Sequence, residues 1–335
     1  MGNDYLWDRS GPPDPDVERL ERLLGRLRSA PPVPGLPEST HGRFGPRAML
    51  PLLATAATIA LLVGGTWQAT RSTAPWDVAR VHGQPRIEST PVDGTARIAV
   101  GQTLVTDATS QARVIVSTIG QVTVDANSRV RLVATREGLH QLALERGTLH
   151  AFITAPPGQF IVDTPSARAT DLGCVYTLHV DEEGGGLLSV TAGWVSFEFK
   201  GRESFVPAGA SCRTDAMRGP GTPRYDDATQ QFRDALDDVD YAGDPARQAA
   251  ALTYVLEHAR RHDAVTLWHL LARVDGRDRG RVFDALAARV PPPPGVMRDS
   301  VLRLDGAALD AWWNALGLGS TDVRRKWKKT YPVAR

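Results

Sequence analysis

Hydrophobic and polar positions change period several times along the chain. Near the N-terminus, Val17, Leu20, Leu23, Leu24 and Leu27 recur at three-to-four spacing, which places them on one face of a helix. Asp14-Pro15-Asp16 precedes them. Asp14 suits the N-cap and Pro15 the first helical position, where a missing N–H costs little. Glu18 and Arg22 form an i,i+4 pair on the outer face. PPVPGLP (Pro31 to Pro37) reads as an extended linker. From about Val81 to Cys212 the period falls to two: Val114 and Val116, Val122 and Val124, Val130 and Leu132, Leu142 and Leu144, Phe160 and Val162, Leu188 and Val190, then Val195, Phe197 and Phe199. Glycines such as Gly120, Gly147, Gly158 and Gly193 precede several of these strands. Their irregular spacing predicts a sandwich, a jelly roll or a short-strand solenoid. RGPGTPRY (Arg218 to Tyr225) reads as a Gly/Pro hinge, after which helices are predicted near 226–239, 245–261, 263–274, 277–290 and 306–316. The last carries Trp312 and Trp313.

Between the first helix and the strands, residues 48–70 hold no charged side chain for 23 positions. As a helix this stretch spans about 34 Å, against roughly 30 Å of bilayer hydrocarbon. Pro51 falls in its first turn, and Trp67 and Arg71 sit where interfacial anchors belong. The expectation is one uncleaved transmembrane helix. A cleaved signal peptide fits poorly, because its charged n-region is short and this stretch starts near residue 48. Arg28, Arg43 and Arg47 before the span balance Arg71, Arg80 and Arg86 after it, so the positive-inside rule gives no orientation.

Composition narrows the chemistry. Lys plus Arg is 39 against 38 for Asp plus Glu, a net charge of +1, which disfavours a globally basic nucleic-acid binder. Residues 1–47 carry seven basic and seven acidic side chains, so the tail has no electrostatic footprint for DNA or anionic lipid. A single helix of about 12 residues is marginal alone in water. Its apolar face, with Tyr5, Leu6 and Trp7 upstream, therefore wants a protein partner, or alternatively a membrane surface or a second copy. His258 and His262 lack a third metal ligand, and Asp237, Asp238, Asp240 and Asp244 lack calcium-loop spacing. G-x-S-x-G and H-E-x-x-H are absent, and Arg218–Tyr225 lacks the Lys-Ser/Thr of a phosphate loop. No enzyme, metal or cofactor is expected. The basic end, RRKWKKTYPVAR, reads as a solvated tail, or as a contact for nucleic acid if cytoplasmic and for anionic lipid or cell-wall polymer if periplasmic.

In order along the β region come GQVTVDANSRVRLVA, LALERGTLHAFI, GQFIVDTPSARATDLGCVYTLHV and LLSVTAGWVSFEF. This set resembles the FecR domain of bacterial membrane-anchored sigma-factor regulators. The family phrases fall on Gly158, Phe160, Thr164 and Pro165, then on Leu172 and Gly173, then on Gly193 and Val195. Cys174 stands where the family usually has threonine. The resemblance covers roughly residues 80–213 and implies a layout: a cytoplasmic tail (1–47), a transmembrane helix (48–70), a periplasmic FecR-like β domain (78–215) and a C-terminal helical region (225–335) at the bacterial inner membrane. It implies a sigma factor as partner on the cytoplasmic side, contacted through Tyr5, Trp7, Val17, Leu20, Leu24 and Leu27, and a periplasmic or outer-membrane protein on the other. No direct nucleic-acid contact is implied. The alternative is a structural envelope protein that binds cell-wall polymer, with the tail only an anchor. In an oxidising periplasm Cys174 and Cys212, 38 positions apart, either pair, gaining about 3–4 kcal/mol, or stay as two separately buried thiols.

Overall fold

The computed structural model describes residues 74–317. The N-terminal helix and the 48–70 span lie outside the described residues, and so does the basic end. Among the described residues, no helix is long and apolar enough to cross a membrane.

The period-two segments form two sheets. One runs, in spatial order, β4 (Thr95–Ile98), β1 (Trp76–His82), β6 (Gln111–Val116), β7 (Gly120–Val124), the second half of β9 (Leu139–Ile153), β12 (Val175–Val180), β13 (Gly186–Ala192) and β16 (Ala210–Asp215). β17 (Gly219–Pro220) and β18 (Arg224–Tyr225) lie along its last edge. The other runs β3 (Thr90–Pro91), β2 (Arg86–Ile87), β5 (Thr103–Val105), β8 (Arg129–Arg136), the first half of β9, β10 (Phe160–Asp163), β11 (Arg168–Asp171), β14 (Trp194–Phe199) and β15 (Arg202–Pro207). The alternating apolar residues of both sheets, among them Val114, Leu178 and Val190 on one and Leu132, Phe160 and Phe197 on the other, share one core. The result is a sandwich. Pairing is antiparallel among the described strands except between β9 and β10, so the solenoid alternative is set aside; stacked solenoid coils pair in parallel.

β9 belongs to both sheets because it bends at Gly147, whose φ is +91°. A Cβ there would lie 2.4 Å from the Cα of Ser128, and Ser128 Oγ instead accepts the Thr148 N–H at 2.9 Å. Only glycine permits that approach.

Six helices follow among the described residues: α1 (Gln230–Tyr241), α2 (Pro245–His258), α3 (Ala264–Leu271), α4 (Gly276–Arg289), the short α5 (Arg298–Leu302) and α6 (Gly306–Ala315). The sequence pattern anticipates all but α5. Thr229, Asp244, Asp275 and Asp305 cap α1, α2, α4 and α6 by accepting first-turn N–H groups. α3 is buried nearly all round. Val265 reaches the sandwich core, while Leu267, Leu270 and Leu271 belong to the helical core.

The Gly/Pro segment is not a hinge. Gly219 through Tyr225 are buried, with Gly219–Pro220 and Arg224–Tyr225 paired to β16, and strands continue past residue 215 as far as Tyr225. Glycine and proline mark an irregular path here, and burial with ladder pairing fixes it in place.

Candidate functional site

Two places bring chemistry-bearing side chains together: the seam between sandwich and helices, and the corner where the chain changes sheets.

At the seam, Asp240 in the last turn of α1 is buried. Its Oδ1 accepts from the Arg202 guanidinium at 2.6 Å and from Thr222 Oγ1 at 3.1 Å, and its Oδ2 accepts from the Thr222 N–H at 2.6 Å. Arg273, just after α3, lies 3.6 Å from the same carboxylate. It donates to Thr222 Oγ1 at 2.7 Å and to Ser204 Oγ at 2.6 Å. Burial pushes the Arg273 pKa down and Asp240 offsets part of that. Two guanidiniums and one carboxylate thus tie β15, the 219–225 segment, α1 and α3 into one network. Nearby, His269 Nε2 accepts the Phe205 N–H at 3.0 Å while its Nδ1 lies 2.8 Å from the Val265 carbonyl. A carbonyl only accepts, so the proton sits on Nδ1. Trp313 completes the seam, with ring centroids 4.7 Å from Trp268, 5.7 Å from Trp194 and 5.9 Å from Phe205.

Against this network, and sharing Arg202, His269 and Arg273 with it, lies a hollow of about 790 Å³ lined also by Lys200, Trp268 and Asp310 among others. That volume falls within the range of small-ligand sites. A second hollow of about 260 Å³, bounded by Thr164, Arg168 and Glu198, is also lined by Lys200. Lys200 is the one lysine among the described residues, and its Nζ sits 4.8 Å above the Phe199 ring. Among the described residues no group of three metal-ligating side chains occurs.

The second place gathers most of the motif residues. β11 crosses to β12 through Leu172-Gly173-Cys174, and β13 crosses back to β14 through Gly193. The two crossings touch. Gly193 has φ +75°, and a Cβ on it would lie 2.1 Å from the Gly173 carbonyl oxygen. The Leu172 N–H bonds Trp194 O at 3.1 Å, and the Gly158 N–H bonds Asp171 O at 2.8 Å. Phe160 and Val195 are core residues beside this corner. Thr164 and Pro165 form the β10–β11 turn, where Thr164 Oγ1 accepts the Ala167 N–H at 2.9 Å. Leu172, Gly173, Gly193 and Val195 thus set the double crossing, while Thr164 and Pro165 shape the neighbouring β10–β11 turn.

Both cysteines are buried and free. Cys174 donates its S–H to Asp171 Oδ2 at 2.6 Å, and Cys212 to Gly221 O at 3.1 Å. Of the two alternatives the sequence left open, the structure has the separately buried thiols. Cys212 sits in register with Leu188 and Leu178, four residues along β12 and two strands across from Cys174, a separation of about 16 Å at ordinary strand spacings. A disulfide needs its Cα atoms within about 7 Å. Burial raises both thiols, Cys212 to about 11, so neither is a ready nucleophile.

Of the residues foreseen as contacts, Tyr5, Trp7, Val17, Leu20, Leu24 and Leu27 lie outside the described residues. The seam residues Asp240, Arg202, Arg273 and His269 carry no local sequence signal. Asp240 reads as one of four aspartates at a helix end, and only the fold brings two arginines from opposite sides of it in sequence.

Residues 102–196 match the model of the family described as FecR protein. Two crystal structures of a putative anti-sigma factor from Parabacteroides distasonis, at 1.65 Å and 2.50 Å resolution, resemble the chain at 17% identity. The likeness covers 40% of this chain and 63% or 62% of theirs, so the chain spans less than two thirds of their length, and the TM-score is 0.34 in both cases. A superposition that slight transfers neither fold nor function. No curated protein matches the chain.

Proposed function

From the premise that this is a FecR-family protein, with its FecR domain at residues 102–196, we propose that the chain is a single-pass inner-membrane regulator of a sigma factor. The FecR match is the observation that carries the reading. Its sandwich and helices face the periplasm and engage a protein partner there. The uncharged 48–70 stretch crosses the bilayer, and the tail holds the sigma factor through the apolar face of Tyr5, Trp7, Val17, Leu20, Leu24 and Leu27. The mechanism is linkage. A periplasmic partner that prefers one arrangement of the folded body shifts the tail between holding and releasing its target, by no more than its differential affinity for the two states. The reading assigns the chain no catalytic step.

Two measurements test it. Carbonate extraction of membranes followed by protease treatment of intact spheroplasts should leave the chain in the membrane fraction with its C-terminal body digested from outside. Release by carbonate, or protection of that body, contradicts the topology. Transcript profiling of cells carrying the native chain or a Trp7→Ala, Leu20→Asp variant should show one coherent promoter set that responds only to the native tail. Identical profiles contradict the regulatory role.

A further inference from the structure

Asp171 ends β11 at the corner where the two sheet crossings touch, and it is 1% exposed. Its carboxylate is held by three neutral donors: the Gly173 N–H at 2.6 Å, the Cys174 S–H at 2.6 Å and the Cys174 N–H. No cation is among the groups that hold it. Across the ladder β14 sets Val195 opposite, and the turn before β10 contributes only the Gly158 N–H, to the backbone carbonyl. From β12 comes Tyr176, whose buried hydroxyl has no hydrogen-bond partner. The titratable groups facing Asp171 are therefore Cys174 and Tyr176. Both are acids whose pKa values are raised, by burial first and by the Asp171 charge second. Neither brings positive charge.

A buried carboxylate without a cation favours its neutral form. We propose that the Asp171 carboxyl is a proton-operated latch on the double crossing, tightening the corner when protonated in mild acid and loosening it when ionised near neutrality. The latch belongs to the fold, whatever partner the chain serves. Burial pushes the carboxyl up to about 6, with the Cys174 and Gly173 hydrogen bonds opposing. The unfolded value is about 3.9. Between the two, the folded chain holds a proton that the unfolded chain lacks. This contribution to stability is therefore fullest below about pH 4, falls as pH rises through about 6, and is lost above it. Two pH units correspond to about 100-fold in the unfolding constant. Cys174 tunes the latch, because its S–H donates to the carboxylate and a thiol is a weaker donor than a hydroxyl.

The test uses the full-length chain in detergent with carbon-13-labelled aspartate. The Asp171 carboxyl resonance should titrate with a midpoint near 6. Cys174→Thr should lower that midpoint and Cys174→Ala should raise it. In urea unfolding, Asp171→Asn should gain on the native chain at pH 7.5, and the advantage should shrink by about 100-fold toward pH 4. A midpoint near 4, or an Asp171→Asn chain with the native pH dependence, overturns the latch. Should Asp171→Asn fail to fold, the carboxyl titration of the native chain decides by itself.

Discussion

Replacing Gly193 by alanine sets a methyl group against the Gly173 carbonyl at 2.1 Å, at a φ of +75°. The clash and the left-handed backbone act together, so Gly193→Ala should cost about 2 kcal/mol or more, read as a lower urea midpoint at unchanged slope. Gly201 is the control, since its φ is +84° but a Cβ there meets nothing within 4 Å; its alanine variant should lose only the backbone part. Asp240 is the other decisive residue. Asp240→Ala leaves Arg202 and Arg273 without their common carboxylate, and breaking a buried pair from one side costs about 3–5 kcal/mol. The thiols give a third check at this scale. A thiol reagent should find no reactive cysteine in the native chain and two in denaturant without reductant. Finding none in denaturant would mean that Cys174 and Cys212 are paired after all.

Among the described elements, most of the longer strands and five of six helices are legible in the chain because their signals are local: period-two alternation, glycine before strands and helical periodicity; β17 and β18 lie in the Gly/Pro stretch that reads as a hinge. α5 is five residues long, too short for a period to show. The roles of adjacent residues are less legible. Trp312 and Trp313 lie side by side on α6, yet Trp312 fills the helical core, its ring centroid 5.0 Å from Phe283, while Trp313 packs into the sandwich. Helical periodicity puts them on neighbouring faces, but what covers each face is a property of the fold. Trp312→Ala should cost about 3–5 kcal/mol. Asp171 is likewise silent in sequence, since its burial depends on the corner closing over it. The sequence left the choice between a disulfide and two free thiols open for the same reason. A 38-residue spacing says nothing about where β12 and β16 place their side chains.

For the whole molecule, the seam makes sandwich and helices a single body from at least Trp76 to Ala315. Arg202, Thr222, Asp240 and Arg273 join them, and α3 is buried between two cores. Unfolding should therefore be one transition, with tryptophan fluorescence and far-ultraviolet dichroism coincident. Asp240→Ala should be the variant that separates them. On the proposed reading, a single body of this kind would respond to a partner as a unit, as control of the tail requires. The most direct measurement of that control is a crosslinked co-purification of the full-length chain from its native membranes, beside the Trp7→Ala, Leu20→Asp variant. The account predicts that a sigma factor is captured with the native tail and lost with the variant. Capture of envelope proteins or cell-wall fragments alone, equally by both chains, would contradict it and leave the tail as an anchor.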